Sequence, residues 1–122
     1  MSIHDGLVIG YKMDFIENEL EMQILTVQKE VVIVRFNNYL AHEFSHVMKE
    51  SIVFDIEEQE TEKFIKENQT DFERHQGFNW PLPYNNVEEL TQLLFQNEYK
   101  CYIIFSSSGL SGYVIAKSIA ID

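Results

Sequence analysis

A chain of 122 residues, 45% apolar and 13% aromatic, has enough to bury for one core, which argues against general disorder and for a single globular domain over residues 1–122. Twenty Asp and Glu against nine Lys and Arg leave a formal charge of −11, a field that repels nucleic acid and anionic membrane and attracts a basic partner. No apolar run reaches the ~20 residues that span a bilayer, and Met1-Ser2-Ile3-His4-Asp5 lacks the basic-then-apolar pattern of a secretory leader, so a cytoplasmic protein is expected.

Leu7, Ile9, Tyr11, Met13 and Phe15 alternate with other residues, which predicts a half-buried first strand. A turn at Glu17-Asn18 leads into a second strand carrying Leu20, Met22 and Ile24, and the β-branched run Val31 to Phe36 predicts a third, more central one. Asn37 or Asn38 is then placed to cap a short helix through about Lys49. Ser51 to Ile56 returns to an extended pattern. From Glu58 to His75 the spacing of Phe64, Ile65 and Phe72 predicts a surface helix.

Two prolines in Gly77-Phe78-Asn79-Trp80-Pro81-Leu82-Pro83-Tyr84 forbid helix, and three large aromatics there predict a loop folded onto the body. Asn86 followed by Val87-Glu88-Glu89 has the form of a helix cap, with Val87, Leu90 and Leu94 as the apolar stripe. Tyr99 to Phe105 and Tyr113 to Ile121 predict two antiparallel strands joined by a turn over residues 106–112. The order β-β-β-α-β-α-α-β-β predicts an α+β fold, a mainly antiparallel sheet with helices packed on one face. Cys101, the only cysteine, falls in an apolar strand and reads as a packing residue in a reducing compartment.

Chemistry is most explicit in His42-Glu43-Phe44-Ser45-His46, the H-E-x-x-H pattern. On a helix turning ~100° per residue, His42 and His46 share a face and can hold one Zn²⁺ while Glu43 activates its water. A catalytic zinc also needs a third protein ligand. "VMKESIVFDI" offers no third histidine, although the later Glu57, Glu58, Glu60, Glu62 and Glu67 could supply a carboxylate. The helix is also only about three turns long. A compact zinc-dependent peptidase is therefore the second reading. Gly109-Leu110-Ser111-Gly112 approaches a nucleophile elbow but ends in Tyr113 and sits in a hairpin, so it reads as a turn.

The densest acidic stretch carries Asp55, Glu57, Glu58, Glu60 and Glu62 with no basic residue among them. It lacks the Asp-x-Asp-x-Asn-Gly ladder of a calcium loop. Helix-dipole stabilisation of a first turn accounts for about two of the five carboxylates. As a whole the chain resembles the small acidic immunity proteins encoded beside bacterial toxins, including those of contact-dependent growth inhibition. The segments that carry the resemblance are "IHDGLVIGYKMDF", "IVFDIEE", "GFNWPLPY" and "SSSGLSGYVIAKS". It implies a cytosolic protein without cofactor or catalysis that binds and blocks a toxin domain. A basic nuclease domain suits the charge, met by Asp55 to Glu62 with Trp80 and Tyr84 as aromatic anchors.

Overall fold

The computed structural model describes residues 2–122. Gly6–Asp14 (β1), Glu19–Leu25 (β2) and Val31–Ser45 (β3) form an antiparallel meander. On β2 and β3 the two-residue period aligns apolar partners, with Leu20 opposite Phe36, Met22 opposite Val34 and Ile24 opposite Val32. All six are fully buried.

The helix expected from Asn37 or Asn38 to Lys49 does not form; β3 stays extended to Ser45. Asn38 takes a left-handed φ of 52°, and the register slips between Tyr39 and Ala41. Such irregularities bend a strand without ending it. One long strand therefore serves two neighbours. Its first half, Val31–Asn37, pairs with β2, and Val34–Ser45 pairs with Ser111–Ile121 (β6). The ladder to β6 satisfies the main chain that a three-turn helix would otherwise satisfy internally, and it buries Ala41 as well.

Ser51–Gln59 (β4) and Lys100–Ser108 (β5) complete a closed antiparallel barrel in the order β1-β2-β3-β6-β5-β4. Closure is made by Gly6–Val8 against Ser51–Val53. This corrects the expected layered α+β sheet: once β3 reaches β6, the sheet curls onto itself. Inside lie Val34, Phe36, Val53, Ile104 and Val114 among others.

A single excursion between β4 and β5 contains every helix among the described residues: Thr61–Glu67 (α1), Gln69–His75 (α2), a 3-10 turn at Gln76–Phe78, and Val87–Gln96 (α3). The expected helix over 58–75 begins later, because β4 runs to Gln59, and it breaks at Asn68, whose side chain donates to the Phe64 carbonyl at 2.9 Å. Its stripe holds, with Phe64, Ile65 and Phe72 buried against the outer wall formed by Cys101, Tyr113 and Ile115. Asn86 caps α3 as expected, accepting from the Glu89 amide at 2.8 Å. No helix among the described residues is long and apolar enough to cross a membrane.

At the start of β6 the backbone approaches β3 so closely that a Cβ on Gly112 would meet the Glu43 carbonyl oxygen at 2.0 Å, with φ at 148°. Gly112→Ala is expected to cost about 2–4 kcal/mol from overpacking and backbone strain. Gly77→Ala, where nothing lies within 4 Å, should cost far less. Urea denaturation of the two variants checks the contrast.

Candidate functional site

Strand geometry decides the placement of the H-E-x-x-H residues. His42 pairs with Val114 and Glu43 with Tyr113, so the two side chains leave β3 on opposite faces. His42 turns to the inner side, where its Nδ1 and the Tyr39 hydroxyl share a hydrogen bond of 2.7 Å and the Tyr11 and Phe44 rings pack against it. Burial lowers the pKa of its imidazole. Glu43 faces outward and accepts from the Tyr113 hydroxyl at 3.1 Å. Burial, reinforced by Glu43, pushes the Tyr113 hydroxyl up and keeps it a donor. His46 lies beyond the end of β3 with φ at 57°. The shared face required for a zinc helix is not formed, and no cluster of three His, Cys, Asp or Glu suited to a metal occurs among the described residues.

A groove of about 980 Å³ opens at the other end of β4. Its walls are the β4–α1 junction with Glu58, Glu60 and Glu62, the C-terminal end of α3 with Phe95, then Glu98, Tyr99 and Lys100 leading into β5, and Lys117 of β6. The local causes are simple. β4 must leave the barrel after Gln59, which makes Glu60 the residue that precedes α1 and places Glu62 in its first turn, favoured there by the helix dipole. On α3, Leu90 and Leu94 face the core, so Phe95, one position on, is turned out and is 77% exposed.

Four carboxylates face two ammonium groups in this groove. Lys100 reaches Glu58 only at 3.9 Å, and Lys117 sits 5.3 Å over the Tyr99 ring. Exposed pairs of this kind contribute little to stability. Surplus negative charge beside an exposed aromatic ring suits a partner that presents lysine or arginine.

Of the acidic run read from the sequence, Glu58, Glu60 and Glu62 line the groove. Asp55 and Glu57 lie further back on β4, opposite Phe105 and Ile103, and strand alternation turns Glu57 away from Glu58. Trp80 stacks on Phe72 and packs against Tyr113. Tyr84 is only 5% exposed, and its hydroxyl donates to the Phe72 carbonyl. Both aromatics therefore fasten the helical excursion to the barrel, away from the groove. Phe95, Glu98, Tyr99 and Lys117 were not foreseen. The available signal was Phe95 itself, a large aromatic off the Val87-Leu90-Leu94 stripe.

Comparison with protein-family models, with curated proteins and with solved structures returns no match to this chain.

Two chemical expectations follow from the buried groups. Burial pushes the Cys101 thiol up to about 12, so it should resist a thiol reagent in the native protein and react on unfolding. His42 has a folded pKa below its ordinary 6.5, so the unfolded chain takes up the proton first. Stability should fall as pH drops through 6.5 towards the lower folded value, and His42→Gln should flatten that part of the profile. Urea midpoints against pH for both proteins test the sign.

Proposed function

We propose that this chain is an immunity-type protein that binds and neutralises a basic toxin domain in the cytoplasm, with the groove at the β4–α1 junction as its contact surface. The observation that carries the reading is the convergence of Glu58, Glu60, Glu62 and Glu98 around an open groove with the Phe95 ring exposed beside it. The overall charge of −11 supports it by steering a basic partner into place. A domain that cuts nucleic acid has a basic groove of its own, and clustered carboxylates can occupy it in place of phosphates. The resemblance of the chain to acidic immunity proteins points the same way.

Phe95 serves as the desolvated anchor, and the carboxylates set orientation and encounter rate. Binding is therefore expected to be salt-sensitive, since exposed charges are screened within about 8 Å at physiological ionic strength.

The test is titration with the C-terminal domain of a large secreted protein encoded immediately upstream, at increasing salt. The expected result is a tight complex that inhibits the domain and weakens as salt rises. Reversal of Glu58, Glu60 and Glu62 to Lys should weaken it by about 100-fold, at roughly 1 kcal/mol per charge, and Phe95→Ala by about tenfold. Absence of such a domain, or a complex indifferent to both salt and the triple reversal, overturns the reading.

A further inference from the structure

Several stretches of strand in the barrel have a neighbour on one side only, and the edges of β4 and β1 differ in how they are protected. On β4, residues 54–59 pair only with β5. That edge carries Asp55, Glu57 and Glu58, and the His4 ring donates to its Phe54 carbonyl at 2.9 Å. On β1, the register breaks between Val8 and Gly10, and beyond that point Gly10–Asp14 has β2 on one side and no strand on the other among the described residues. Along this edge run Gly10, Tyr11, Lys12, Met13 and Asp14, followed by Phe15 and Ile16, which are 78% and 93% exposed. An edge flanked by exposed apolar residues is a template for another strand.

Charge selects the occupant. In an antiparallel pairing of two β1 edges about a twofold axis at Met13, Lys12 of each copy falls opposite Asp14 of the other. Shifting the axis to Lys12 would instead oppose two lysines. On the outer face of this hairpin Glu21 already meets two cations, Lys12 at 3.5 Å and Arg35 of β3 at 3.4 Å. Asp14 lies opposite Glu19, with Glu21 two residues on, and partial burial together with Glu21 and Asp14 raises the Glu19 pKa. Lys12 is 3.5 Å from its own Glu21 yet remains largely exposed, so its ammonium can also reach the second copy. Long-range repulsion between two chains of −11 opposes this pairing, and salt, which screens it beyond about 8 Å, lessens that opposition.

We infer that the chain forms a closed twofold dimer through antiparallel pairing of its β1 edges, with Lys12 of each copy against Asp14 of the other. Such a dimer is isologous and self-limiting. None of these residues lines the acidic groove, so dimerisation stands independently of partner binding.

Sedimentation of the full chain over a concentration series at physiological salt tests the inference, combined with amide hydrogen exchange. The wild type should dimerise, and protection of the amides from Tyr11 to Asp14 should rise with concentration. Lys12→Asp and Asp14→Lys should each weaken the dimer about tenfold, as two attractive cross-strand pairs become repulsive, and the double swap should recover most of the loss. Because Asp14 also accepts from the Ile16 and Glu17 amides, Asp14→Asn serves as the variant that keeps a capping oxygen and loses only the charge. It should weaken the dimer less than Asp14→Lys does. A wild type that stays monomeric at every concentration, a dimer indifferent to the single swaps, or a double swap without recovery overturns it.

Discussion

The pairing of β3 with β6 is the constraint on which the rest of this molecule depends. It joins Val34–Ser45 to Ser111–Ile121 and converts a meander into a closed barrel. The inner faces of six strands become one apolar interior, and the outer wall of β5 and β6, with Leu40 of β3, becomes the seat for the helices. That seat is dense in aromatic rings: Phe64, Phe72, Trp80 and Tyr113 pack at centroid distances that favour edge and offset contacts. Two cores therefore share β5 and β6 as a common wall. A change on the inner face of that wall is felt by the barrel, and one on its outer face by the helical excursion.

Negative charge is distributed around this frame according to where strands end. Strand alternation scatters carboxylates to both faces of β4, and only at its exit, where Glu58, Glu60 and Glu62 meet α3, do they gather. The groove there is a consequence of topology. A chain leaving a barrel for an external helix creates a step, and α3 returning to β5 supplies the opposite wall. Placing the acidic residues on this step keeps them solvated while they crowd, which limits the cost of their mutual repulsion.

Much of the architecture was legible in the residues. The alternation of Leu20, Met22 and Ile24, the β-branched run after Val31, the α3 cap at Asn86 and the Phe64-Ile65-Phe72 stripe all appear where their patterns place them. What misled was local pattern competing with a distant partner. Asn37-Asn38 has the chemistry of a helix cap, but Asn38 uses its tolerance of left-handed backbone for an irregularity within a strand instead. The same error turned an open-looking order of elements into a layered fold, because nothing local in β3 announces that β6, far along the chain, will claim its second half. In the groove, Glu58, Glu60 and Glu62 come from the acidic run evident in the sequence, whereas Glu98, Tyr99 and Lys117 join them only through tertiary structure. Trp80 and Tyr84 carry two expectations, a loop folded onto the body and aromatic anchors for a partner, and their packing around Phe72 and Tyr113 matches the first.

The functional account rests on β3 remaining a strand through Ser45, since that separates His42 from Glu43 and leaves no helical face shared by His42 and His46. Backbone NMR of the full chain addresses this directly, through chemical shifts of residues 39–45 and proton contacts between residues 41–44 and 112–115. Extended-strand shifts with cross-strand contacts from His42 to Val114 and from Glu43 to Tyr113 are the predicted result. Helical shifts over His42 to His46 without contacts to β6 would contradict it and restore the two histidines to a common face.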